Sequence, residues 1–224
     1  TPTRAFAKEI IFGGTPSLSR QGLGSIATLM LNVAAGAFGD AAIAGMSIVT
    51  RISFFTYAMV IGLGQGFQPL CGFCYGAKLY GRGKEAFFFC IKCGTVFLSV
   101  CALLGFIFST SIISIFRDDA AVVAVGSVAL RWQVLSFPLV ASIVLTNMLM
   151  QTIRKPVRAN IVAAARSGLF FIPLIFILPY FFGLLGVEMC QMWADCCSFA
   201  VAVPIAWSAF RDMRREQMEL GKSH

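Results

Sequence analysis

Charged residues are scarce in this sequence: 12% of its 224 residues are Asp, Glu, Lys or Arg, against roughly a quarter in soluble domains. So few charges do not make the water-facing surface of a soluble fold this size. Histidine is reduced to His224 at the chain end. No nucleophile-and-base constellation accompanies it, which argues against an enzyme and leaves no catalytic residue to name. A leader pattern is missing too, since Thr1 to Lys8 runs into a Gly-rich stretch rather than a short apolar core with a cleavage site. A start at Thr1 rather than Met suggests a piece of a longer protein.

What is present is apolar length. Hydrophobic residues make up 58% of the chain, and several stretches exceed the roughly 18 to 20 residues that cross a hydrocarbon core. Backbone groups in lipid must satisfy one another, which leaves helices or closed barrels. Barrel strands would alternate in short segments, whereas these runs are long and continuous. The sequence predicts an all-α integral membrane bundle of six spans over 1–210, near 16–38, 43–70, 87–115, 122–150, 160–182 and 186–209, followed by a basic tail over 211–224. That tail reads as a solvated end rather than a surface helix.

The net charge of +8 would suit nucleic acid only if the basic residues shared a soluble face; here they cap apolar segments, and nucleic acid is not expected as a partner. The connections around Gly39, Asp118 and Gly183 hold one basic residue, Arg117. The other side collects Arg4 and Lys8, then Lys78, Arg82, Lys84 and Lys92, then Arg154, Lys155, Arg158 and Arg166, then Arg211, Arg214, Arg215 and Lys222. By the positive-inside rule that side and both termini are cytoplasmic. The expected location is the bacterial inner membrane, with lipid as the surrounding partner.

Polar residues inside apolar spans usually face a bundle interior or a water-filled cavity. Gln21, Ser25, Thr28 and Asn32 share one face of the first span; Ser47, Arg51, Phe54, Gln65 and Gln68 share one of the second. The fourth offers Ser127, Arg131, Ser142 and Thr146, with Pro138 positioned to bend it, and the sixth offers Gln191, Asp195 and Ser198. Singly, such residues are ordinary glue between helices. As sets they favour a central cavity, with Gln21, Asn32, Arg51, Phe54, Gln65, Asn147, Gln151 and Arg166 as candidate wall residues. Asp195 is read as the one acid well inside a span, with Arg51 and Arg131 at similar depth. An ion pair among them is the favoured reading, because an unpaired charge there costs several kcal/mol; a coupling-proton site is the alternative.

Two motifs tempt and fail. Cys71 with Cys74 and Cys90 with Cys93 have zinc-site spacing, yet they sit at the ends of apolar helices, where cysteine acts as a small hydrophobe. Gly62, Gly64 and Gly66 lie inside a span with no Lys-Ser/Thr behind them, so they read as helix packing rather than a phosphate loop. No metal or cofactor is expected.

Four stretches, in order and at specific spacing, resemble a known family: Pro16 to Gln21, Gly39 to Ala44 leading to Arg51, Gly62 to Pro69 ending in the turn Tyr75 to Lys78, and Arg166 to Pro173. Nearly the whole chain is similar to the C-terminal lobe of multidrug and toxic compound extrusion (MATE) transporters. The resemblance implies one half of a twelve-helix alternating-access antiporter, whose partner would be a missing N-terminal lobe on the same or a separate chain. It implies export of amphipathic, often cationic drugs in exchange for Na+ or H+. Members that hold the ion in this lobe use carboxylates in its first and fourth spans; here those spans carry Gln21, Asn32 and Asn147 and no acid. The coupling acid is therefore expected in the other lobe, or to be Asp195. A flippase for lipid-linked sugars is the rival in the same architecture, but only Arg51, Arg131 and Arg166 could serve its pyrophosphate. A truncated, non-transporting membrane protein is a third reading.

Overall fold

The computed structural model describes residues 4–222, with side chains described for Leu18 and from Gln21 to Met218. Every regular element among them is helical: α1 (Arg4–Gly36), α2 (Asp40–Gly76), α3 (Tyr80–Ile107), α4 (Ser109–Phe116), α5 (Ala120–Thr152), α6 (Pro156–Ala164), a π-helical turn over Ala165–Leu169, α7 (Phe171–Phe182) and α8 (Leu184–Lys222). Five passages are long and apolar enough to cross a membrane: Asp40–Gly76, Tyr80–Ile107, Ala120–Thr152, Pro156–Phe182 and Leu184–Met218. At 33 residues α1 has the length for a sixth, about 20 being sufficient. The chain is a multi-pass membrane protein.

The turns follow from local chemistry. At the end carrying the basic loops, α2 and α5 close alike: Leu79 N donates to Cys74 O at 2.8 Å and Lys155 N to Met150 O at 2.9 Å, each with a second bond from the preceding residue. These Schellman closures place Lys78 (φ 59°) and Arg154 (φ 55°) in the left-handed region, where glycine is usual. At the opposite end Gly39 and Gly183 supply positive φ, and Asp119 caps α5 by accepting from Ala121 N at 2.9 Å.

Helix α5 is the axis of the bundle, packed by α2, α3, α4, α6 and α8. Lipid tails are as apolar as leucine, so helices associate through close packing rather than escape from water. Accordingly α2 and α5 meet backbone to backbone, where a Cβ on Gly45 would stand 3.1 Å from Gly126 N. Phe137, Leu130, Tyr57, Val60 and Leu98 fill the core around this crossing. Phe55, Met59, Phe73, Phe181 and Trp207 face outward.

Three features differ from the sequence-based expectation. The third passage starts at Tyr80 and breaks at Phe108. There Ser109 is fully buried and accepts from Arg131 Nε at 2.8 Å, so the break brings a hydroxyl to a guanidinium at that depth. The fifth passage contains the π turn. Phe170 N reaches back five residues to Ala165 O at 3.2 Å, and Pro173, lacking an N–H, cannot bond the Leu169 carbonyl. Finally, the tail expected to be a solvated end continues α8 as helix. It is held by partners remote in sequence: Asp212 accepts from Lys155 Nζ at 2.6 Å and from Arg158 at 3.0 Å, and Tyr80 donates to Glu216 at 2.9 Å. The Lys155 and Arg158 bonds hold the Asp212 carboxyl, past the apolar part of α8, below its ordinary range.

Candidate functional site

A cavity of about 210 Å³ opens between α1, α2 and the π turn, with α5 and α8 behind it. Small and apolar residues of α1 and α2 line it, Gly24, Leu31, Met46 and Val49 among them. Interspersed with these are polar and aromatic residues: Thr28, Ser53, Phe54, Tyr57, Gln133, Arg166 and Gln191.

A bonded chain through four elements runs from this lining into the bundle. Asp195 on α8 is 0% exposed. Its Oδ1 accepts from Arg166 Nε at 2.7 Å and from Gln191 Nε2 at 3.0 Å, and its Oδ2 accepts from Ser136 Oγ on α5 at 2.8 Å. Gln133, one turn before Ser136, donates to the Tyr57 hydroxyl at 2.9 Å. The Arg166 guanidinium lies 4.6 Å from the centre of the Tyr57 ring, a cation–π contact that strengthens when water is excluded. Both carboxylate oxygens are thus bonded and the charge is neutralised, as burial requires. Arg166 stays 21% exposed on its side chain, so the pair presents its cationic half to the cavity.

The π turn makes this possible. Such wide turns are frequent at functional sites, and this one carries Arg166 against α8 and α2 while Gly168 packs on Leu23, where a Cβ would lie 3.2 Å from Leu23 Cδ2.

Of the residues singled out from sequence, Phe54, Arg166, Thr28 and Gln191 reach the cavity. The expected pairing of Asp195 with Arg51 or Arg131 does not form; its partner is Arg166. Arg51 is exposed and lies about 200° around α2 from Ser53 at 100° per residue. Arg131, the same rotation from Gln133, turns to Ser109 and the Phe106 ring. Gln21 and Gln65 are exposed, and neither they nor Asn32 line the cavity. Asn147 and Gln151 form a clamp instead: Asn147 donates to Ala159 O on α6 at 2.7 Å and accepts from Gln151 at 2.7 Å.

Sequence reasoning missed Ser53, Tyr57, Gln133 and Ser136. A usable signal existed, because Gln133 and Ser136 stand three apart and so share one face of the helix. It also passed over Glu188, which is buried.

The matching family model, MatE, covers residues 16–177, well over half the chain. The chain belongs to the MatE family. Among MatE relatives, it is 27% identical over 207 residues to the multidrug export protein MepA of Staphylococcus saprophyticus, covering 92% of this chain and 45% of that protein. MepA of Staphylococcus aureus strain N315 is 28% identical over the same extent. The chain spans about half the length of the curated relatives it matches. In fold it superposes on the Vibrio cholerae MATE transporter VcmN in its bent form with a TM-score of 0.86 at 18% identity, covering 93% of this chain and 48% of that one. An outward-facing MATE family transporter of the MOP superfamily gives 0.89 at 20% identity, with coverage of 96% and 49%. At those identities the likeness shows the fold, and the fold is one half of a MATE-type transporter.

Proposed function

We propose that this chain forms the C-terminal lobe of a secondary-active multidrug efflux antiporter in the bacterial inner membrane, with its basic loops and termini in the cytoplasm. It would export amphipathic, cationic organic compounds in exchange for Na+ or H+, together with an N-terminal lobe on the same or a separate chain. The observation that carries this reading is the cavity between α1, α2 and the π turn. At about 210 Å³ it falls below the roughly 300–1,000 Å³ of complete small-molecule sites, as one wall of a shared site would. Its lining suits amphipathic cations: Phe54 offers an exposed ring face, while Thr28, Ser53, Gln133 and Gln191 offer hydrogen bonds without fixed charge.

Arg166 would repel cations if unopposed, but Asp195 at 2.7 Å neutralises it. The same pairing weighs against the flippase reading, since a pyrophosphate group would need uncommitted cations. In this reading Arg166 and Asp195 hold α8 and the π turn in register, and the lobe moves as a body against its counterpart.

The test is accumulation of a cationic fluorescent dye in cells expressing the complete coding sequence. Accumulation is expected to fall on expression and to recover when ion gradients are collapsed. Export that persists after collapse would overturn the antiporter reading.

A further inference from the structure

Asp195 is committed on both oxygens, yet α8 carries a second interior acid that the lobe leaves uncompensated. Glu188 is 4% exposed, and its Oε2 has no hydrogen-bond partner among the described residues. Glu188, Gln191 and Asp195 follow at intervals of three and four, so they line one face of α8, with Glu188 about 10 Å along the axis from Asp195. Gln191, on the same face, links this stripe to both the cavity and Asp195.

The charged groups on the surrounding elements are engaged or remote. The π turn offers Arg166, bonded to Asp195. On α5 the cation is Arg131, bonded to Ser109. Helix α7 has no charged residue, only an exposed Tyr180, and α1 has none from Gln21 to Gly36. The charges of α3 and α6 lie toward the basic end, where Arg158 is bonded to Asp212. Glu188 follows the first turn of α8, beyond the reach of the positive helix end.

An ionised carboxylate so enclosed would go unpaid for by any cation, at a cost of several kcal/mol. A metal cation would fare no better, since hard cations take six or more oxygens, and among the described residues no group of three or more His, Cys, Asp or Glu could hold one. We infer that Glu188 is a proton-binding site of the lobe, neutral in this conformation, and that it loads and unloads the proton exchanged for substrate. This rests on the antiporter reading and narrows its coupling ion to H+. Binding attaches a proton to one carboxylate oxygen; release returns it to water when the α7–α8 hairpin or the cavity side of α8 gains access to solvent.

The test is infrared spectroscopy of the purified protein in an ester-free detergent at neutral pH, which reads the carbonyl stretch of a protonated carboxylic acid directly. The wild type is expected to show that band. Glu188→Gln should abolish it, Glu188→Asp should shift it and Asp195→Asn should leave it. A band missing from the wild type, which needs no variant to observe, would overturn the assignment, as would one that survives Glu188→Gln or disappears with Asp195→Asn. Proton release on adding the cationic dye completes the test: the wild type should acidify a weakly buffered suspension and Glu188→Gln should not. Equal release by both would also overturn it. A band that behaves as expected in a protein that exports no dye would instead refute the antiporter reading and leave Glu188 a proton-binding group.

Discussion

Removing Arg166 is expected to cost more stability than removing the charge of Asp195, although the two form one ion pair. In Arg166→Met the surviving carboxylate, 0% exposed, retains Ser136 and Gln191 but has no cation. In Asp195→Asn the surviving guanidinium borders the cavity with 21% of its side chain exposed, where water reaches it. Losing one partner of a buried pair costs about 3–5 kcal/mol, and Arg166→Met belongs in that range because the orphan is enclosed. Asparagine keeps an acceptor for Arg166 and a polar contact for Ser136, so Asp195→Asn is expected at about 1.5–3 kcal/mol, the worth of a hydrogen bond to a charged group. The double variant should fall short of the sum of the singles by roughly 1 kcal/mol or more, as contacting members of one network do. Denaturant unfolding in detergent micelles, followed by the fluorescence of Trp132, Trp193 and Trp207, supplies all three values. Asp195→Asn proving as costly as Arg166→Met, or strict additivity, would refute the argument that enclosure of the surviving charge sets the cost.

Three further outcomes follow from the geometry. A Cβ on Gly186 would run into the Leu178 backbone and stand 2.6 Å from Pro179 N; main chain cannot swing aside, so Gly186→Ala is expected to destabilise by about 1–3 kcal/mol, read as a lowered unfolding midpoint. Lys78 sits at φ 59° in a Schellman turn, so Lys78→Gly should raise stability by up to about 1 kcal/mol, relief of left-handed strain exceeding the entropy lost by glycine; a fall in stability would count against the turn as described. The depressed Asp212 carboxyl stabilises the end of α8 fully above its unfolded pKa of about 3.9, and that contribution disappears as pH falls through the lower folded value. Hydrogen exchange over 211–218 should therefore accelerate only in acid, whereas Asp212→Asn should accelerate it at neutral pH.

Much of this molecule was legible as a string of letters. Hydrophobic length set the passages, because lipid demands about 20 apolar residues of self-bonded backbone whatever their neighbours. The uneven placement of Lys and Arg distinguished the two ends, and four local stretches pointed to the family that residues 16–177 match. Helical periodicity was enough to nominate Phe54, and the stretch Arg166 to Pro173 to nominate Arg166; both border the cavity. Periodicity says which residues share a face, but not what that face meets. Arg131 had the right depth for Asp195 and the wrong direction, while Arg166 reached it through a π turn that no spacing rule anticipates. Gln133 and Ser136 acquire their partners only where α2 and α8 close around α5. Glu188 lies one turn into α8, and packing buries it. The sequence by itself determined that the chain crosses lipid several times as helices and which end is basic, because those depend on each segment's own transfer energy. Only the tertiary structure decided which charge is paired and which is left alone, because pairing depends on the rotation of one helix against another.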